Sequence, residues 1–111
     1  MKHLTTQEEF EELLKPAEPS FVAIYFGATW CGPCRRIDTA ALDAMPGVQW
    51  FKVDVDENNY TSGFCSVNAI PAFMVLKNGQ PMGPIQESNM NNIMAWVSDQ
   101  RDEWQKCMSS K

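Results

Sequence analysis

Phe21-Val22-Ala23-Ile24-Tyr25-Phe26 is an unbroken run of apolar, aromatic and β-branched residues, and Trp30-Cys31-Gly32-Pro33-Cys34 follows shortly after it. A run that does not alternate with polar residues reads as a strand buried on both faces. From Cys34 the pattern turns helical: Ile37, Ala40, Ala41 and Ala44 share one stripe, and Pro46-Gly47 is the stop. Two cysteines therefore sit where a buried strand gives way to a helix.

The flanking segments extend the same alternation. Thr5 and Thr6 lie three residues before Glu8 and Glu9, the signature of a capping box. Phe10, Leu13 and Leu14 follow at helical spacing, so a short amphipathic helix ends before Pro16. Val48 to Val55 alternates as a strand, and Asn58 to Phe64 has room for one or two helical turns. Ala72 to Leu76 is another strong strand, and Asn78-Gly79 predicts a hairpin turn after it. Pro81 and Pro84 confine the returning strand to an edge. Ser88 is placed to cap a long last helix, whose stripe of Met90, Ile93, Met94, Val97, Arg101, Trp104 and Met108 persists almost to the end. With a further strand expected ahead of the first helix, the order is β-α-β-α-β-(α)-β-β-α, which describes an α/β fold with a mixed central sheet and helices on both faces. Trp50, Trp96 and Trp104 are read as packing residues.

At 111 residues the chain has the size of one domain, 1–111. Its 44% hydrophobic and 21% charged residues are ordinary for a globular protein and too apolar for disorder. No apolar stretch approaches the roughly 20 residues of a membrane span. With 14 acidic against 9 basic residues the net charge is −5, which repels phosphate and argues against a nucleic-acid partner. The first residues lack the apolar core of a signal peptide, and their acids disfavour a mitochondrial presequence. The expectation is a cytoplasmic, reducing compartment, where the four cysteines should not form a structural disulfide framework.

A thiol at a helix N-terminus meets unpaired N–H groups and the positive end of the dipole, both of which favour thiolate. Cys31 is then the exposed nucleophile at the helix start, and Cys34, one turn on, can reach its sulfur. Pro33 pre-sets a helical φ where no N–H is lost, and Gly32 lets a target backbone come close. Three readings compete for this pair. A zinc half-site wants a second cysteine or histidine pair, which His3, Cys65 and Cys107 do not supply. A plain pair of core cysteines is poorly served by Gly-Pro between them. A redox dithiol has neither difficulty.

Ala28-Thr29-Trp30-Cys31-Gly32-Pro33-Cys34 resembles the active-site signature of the thioredoxin family. Lys52-Val53-Asp54-Val55-Asp56, Ala69-Ile70-Pro71-Ala72 and Lys77-Asn78-Gly79-Gln80 match that family's next strand, cis-proline loop and hairpin, in order and spacing. The resemblance is clearest from Ser20 to Val97. It implies the thioredoxin fold, a five-stranded mixed β-sheet flanked by four α-helices. It implies no cofactor or metal, and an activity that reduces protein disulfides through a Cys31/Cys34 dithiol–disulfide cycle. The implied partners are a thioredoxin reductase and disulfide-containing target proteins, met by a monomer. Trp30 resembles the family's lid residue, and Ile70 and Pro71 its target groove, where Pro71 is cis.

The chain departs from the family pattern at several points. Tyr25 stands where the family has a buried Asp, and a phenol is a poor base at neutral pH. Lys52 matches a family lysine near that acid and is expected to act alone on a nearby thiolate. Glu87 replaces a glycine beside the groove, where its carboxylate either repels acidic targets or points into solvent. Thr39 replaces a kinking proline, which predicts a straighter second helix. Cys65 lies where animal cytosolic thioredoxins carry an oxidisable cysteine, and Cys107 belongs to an extended C-terminal helix, about 98–108. Both are candidate regulatory thiols or inert ones. Tyr25 and Glu87 together also admit a second reading, a binding subunit that clamps a partner in the groove without redox turnover.

Overall fold

A computed structural model describes residues 1–110. The elements in chain order are β1 (Lys2–His3), α1 (Gln7–Leu14), β2 (Phe21–Gly27), a 3-10 turn (Pro33–Arg36), α2 (Thr39–Asp43) and β3 (Gln49–Asp54). They continue as α3 (Asn59–Phe64), β4 (Ala72–Lys77), β5 (Gln80–Gln86) and α4 (Met90–Ser109). One five-stranded sheet runs β1-β3-β2-β4-β5. β1 and β2 flank β3 in parallel, whereas β4 is antiparallel to both β2 and β5. The mixed sheet with four α-helices matches the expected thioredoxin fold.

β2 lies at the centre, and all seven of its residues are buried. Its alternate residues serve two separate cores. Phe21, Ala23 and Tyr25 pack with Leu42 of α2 and with Ile93 and Val97 of α4. Val22, Ile24 and Phe26 pack on the opposite side with Phe10 of α1, Phe51, Val53 and Cys65. A strand covered on both faces has no need of polar alternation, which is why its sequence reads as a continuous apolar run.

Local signals set the element ends. Thr6 Oγ1 accepts the Glu9 N–H at 3.2 Å and Glu9 Oε1 accepts the Thr6 N–H at 3.2 Å, completing the capping box of α1. Asn78 (φ 54°) and Gly79 (φ 85°) both take positive φ in the β4–β5 turn, as a two-residue hairpin turn requires. A side chain on Gly79 would also run into the Leu14 carbonyl. β5 is an edge strand, with a register shift opposite Phe73 and Val75.

Two expectations are corrected. The cap of α4 is Asn89, whose side chain accepts the Asn92 N–H at 3.0 Å; Ser88 stands one residue too early. The helix expected from Cys34 to Ala44 is divided. Ile37 (φ −81°, ψ 116°) and Asp38 (φ −88°, ψ 92°) are extended, and Asp38 caps a new helix by accepting the Ala41 N–H at 3.1 Å. Thr39 in place of proline therefore does not straighten this region. An aspartate competes for the backbone N–H groups ahead of it and opens a cap where the stripe suggested continuity. The buried residues are Ile37, Leu42 and Met45, while Ala40 and Ala44 face solvent.

Candidate active site

The backbone leaves β2 at Gly27 and turns at Trp30, where the Cys31 N–H bonds the Ala28 carbonyl at 3.3 Å. Gly32 then caps a four-residue 3-10 turn with Pro33 in its first turn. With 3.0 residues per turn, residues three apart eclipse. Cys31, Cys34 and Ile37 accordingly line up inward, while Gly32, Pro33, Arg35 and Arg36 are exposed. Cys31 and Cys34 are joined as a disulfide, with Cα atoms 5.3 Å apart. Both sulfurs are used by one another, the arrangement a redox dithiol requires.

Exposure does not separate the two cysteines as the sequence suggested. In the disulfide form Cys31 is 4% and Cys34 9% exposed. Nor does a long helix stand behind Cys31, because four residues of 3-10 turn carry little macrodipole. A single donor distinguishes the pair instead: the Cys34 N–H points at Cys31 Sγ, 3.2 Å away. A backbone N–H aimed at one sulfur stabilises negative charge on that sulfur.

Tyr25 lies beneath the pair. The β-pairing sets it beside Lys52 on one side and Phe73 on the other. Its ring stacks on Phe73 with centroids 5.2 Å apart, and Lys52 Nζ lies 5.5 Å from the ring centre. Its hydroxyl donates to the Cys34 carbonyl at 3.5 Å. Burial raises the Tyr25 phenol above its ordinary value, which makes it a weaker acid and leaves it protonated at neutral pH. Lys52, on the strand beside Tyr25, holds its ammonium over the phenol ring.

Ile70 and Pro71, joined by a cis bond, divide the adjoining surface. On one side a cavity of about 400 Å³ is lined by Trp30, Val55, Val67, Asn68, Ala69 and Ile70. On the other, one of about 210 Å³ is lined by Pro33, Ile70, Pro71, Gln86, Glu87 and Ser88. Trp30 is 66% exposed, and its indole N–H donates to Asp56 Oδ2 at 2.7 Å. Glu87 lines this second cavity, and its carboxylate is held by neighbouring donors and does not point freely into solvent. Its Oε2 accepts the Ser88 and Asn89 N–H groups at 3.0 and 3.2 Å, and its Oε1 the Asn92 side-chain amide at 3.1 Å. Those bonds hold its carboxyl below the usual range.

Cys65 and Cys107 are not part of this assembly. Cys65 is buried in the opposite core, where burial pushes its thiol up to about 12; Cys107 is exposed on α4. The sequence reading gave no role to Asp56, to the Arg35-Arg36 pair or to Gly27. Gly27 was within reach of strand periodicity, since it shares a sheet face with Tyr25. A Cβ there would lie 2.6 Å from the Tyr25 hydroxyl.

A mixed sheet that delivers a Cys-x-x-Cys disulfide beside a cis-proline loop defines a thiol–disulfide oxidoreductase, here a protein-disulfide reductase. The sequence pattern of the family described as Thioredoxin matches residues 1–99, and the chain belongs to the thioredoxin family. Thioredoxin of Rattus norvegicus is 31% identical over 102 residues, 89% of this chain and 97% of the rat protein. Thioredoxin-2 of Pyricularia oryzae is 35% identical over 99 residues, 86% of this chain but 57% of that longer protein. The crystal structure of oxidised mitochondrial thioredoxin 3 from Saccharomyces cerevisiae superposes with a TM-score of 0.79 at 35% identity, covering 89% of this chain and 94% of that one.

Proposed function

We propose that Cys31 is the attacking thiol and Cys34 the resolving thiol of a general reductase of protein disulfides. The observation that supports this order is the Cys34 N–H aimed at Cys31 Sγ. The Cys31 thiolate attacks a target disulfide, forming a bond to one target sulfur and releasing the other as a thiolate that takes up a proton. Cys34 then loses its proton and attacks Cys31 Sγ. The mixed disulfide breaks, the second target thiol is freed, and the enzyme keeps the Cys31–Cys34 disulfide. Two electrons and two protons pass to the target. A thioredoxin reductase returns them.

Pro33 and Gly32 keep the approach to the sulfurs low, Trp30 and Ile70 wall the groove, and Pro71 orients its backbone. Tyr25 does not take the Cys34 proton, because its hydroxyl is protonated and already donates. The clamping-subunit reading is weakened, since the Glu87 carboxylate is occupied by the Ser88 and Asn89 N–H groups ahead of α4. A monomer working in the cytoplasm is our reading of the setting; the two unpaired cysteines support a reducing compartment, and cell fractionation tests it.

Brief iodoacetamide treatment of the reduced protein, followed by mass mapping, should label Cys31 before Cys34. With Cys34→Ser, mixed disulfides should accumulate at Cys31. Preferential labelling of Cys34, or trapping by Cys31→Ser instead, would reverse the roles.

A further inference from the structure

Cations are the minority charge in this chain, 9 against 14, and four of the described ones are occupied within the protein. Lys2 pairs with Glu9, Lys77 with Glu103 and Arg101 with Asp102, while Lys52 lies over the Tyr25 ring. Among the described cations Lys15, Lys106, Arg35 and Arg36 lack such a partner, and of these only the two arginines adjoin the cysteine pair in sequence. Both are exposed, both follow directly on Cys34, and neither makes an ion pair or side-chain hydrogen bond among the described residues. The 3-10 period turns them outward with Gly32 and Pro33, and Pro33 lines the groove beside Pro71.

The neighbouring acids show the opposite pattern. Asp38 accepts the Ala41 N–H, Asp56 the Trp30 indole, and Glu87 the start of α4. These carboxylates are held by donors inside the protein, whereas the two guanidinium groups keep their N–H donors for something outside it. A planar guanidinium fork matches a carboxylate, frequently with two parallel bonds.

The geometry points to Arg35 and Arg36 as a specificity-determining pair that favours target proteins carrying Asp or Glu beside the disulfide under attack. This rests on the reductase reading above and deepens it by naming the class of target. Selection between targets comes from the contact with the partner's carboxylates, which raises the rate of productive encounter and weakens with salt.

The test uses reduced full-length protein and three synthetic cyclic disulfide peptides of equal ring size, with Asp-Glu, Ser-Ser or Lys-Lys flanks. Single-turnover reduction rates are compared at low and high salt. The acidic peptide should react faster than the basic one by about tenfold at low salt, equivalent to about 1.4 kcal/mol, and the ratio should shrink at high salt. Arg35→Gln/Arg36→Gln should bring the ratio near one, and Arg35→Glu/Arg36→Glu should invert it. Taking the ratio cancels any change in Cys31 reactivity. A wild-type ratio near one, or one that charge reversal leaves alone, overturns the inference while reduction of the Ser-Ser peptide keeps the reductase reading intact. If none of the three peptides is reduced, both fail together.

Discussion

Tyr25 and Gly27 share a sheet face two residues apart, and the phenol occupies the space a side chain at 27 would need. Tyr25→Asp exchanges a stacked, buried ring for a costly carboxylate, so stability should fall by on the order of 3 kcal/mol. The same carboxylate can receive the Cys34 proton, so resolution near neutral pH should accelerate by roughly tenfold or more. Stopped-flow pH profiles of the two proteins check this; a mutant no faster at any pH leaves Tyr25 a packing residue. Gly27→Ala should destabilise by about 1–3 kcal/mol through overpacking, and less so beside Tyr25→Asp. Equal costs in both backgrounds would deny the coupling. Cys65 supplies a pH test. Its folded thiol titrates near 12 against an ordinary 9.0. Unfolded chains then lose this proton first, and stability must fall as pH rises from 9 towards 12. Tyr25, also raised, acts in the same direction above its own ordinary value. In alkaline melting curves Cys65→Ala should show a shallower decline than wild type; identical slopes would contradict the assignment. At this scale the reacting pair was legible from motif and spacing. The reason Cys31 differs from Cys34 was not, because one backbone N–H direction leaves no mark on composition.

The 3-10 turn and α2 were one helix in the sequence pattern, because Ile37 and the alanines fit a single stripe. Their separation depends on Asp38, whose preference for a cap competes with helix continuation. Removing the cap with Asp38→Ala should cost about 1 kcal/mol, or roughly 4 °C in Tm. Thr39→Pro should be neutral or slightly stabilising. Thr39 is the first residue of α2, where no N–H bond is lost, and Asp38 already holds the extended conformation that precedes proline. A drop of several degrees in Thr39→Pro would show that the break is not where the cap places it. Elements with strong punctuation were legible: the capping box of α1, the Asn78-Gly79 turn and the Pro-limited β5. The leading strand was in the expected order without bounds, because Lys2–His3 is too short to show any period and only its pairing with β3 places it.

Across the whole molecule, the central position of β2 carries the chemistry, since its C-terminal end delivers the cysteines and its two neighbours supply Lys52 and Phe73 to Tyr25. The alternation of strands and helices made this layout legible; the division of core residues between two faces needed the register. The matched family pattern ends at residue 99, yet α4 continues to Ser109. That continuation is tied down: the Trp104 indole donates to Asn78 Oδ1 at 3.0 Å, and Arg101 donates to the Pro46 carbonyl at 2.8 Å. The dithiol cycle remains the centre of the account, and dithiothreitol-driven reduction of insulin tests it most directly. Wild-type protein and Cys65→Ser/Cys107→Ser should both accelerate precipitation of the freed insulin chain, while Cys31→Ser and Cys34→Ser should not. Acceleration surviving in well-folded Cys31→Ser, or absent from wild type, would contradict it.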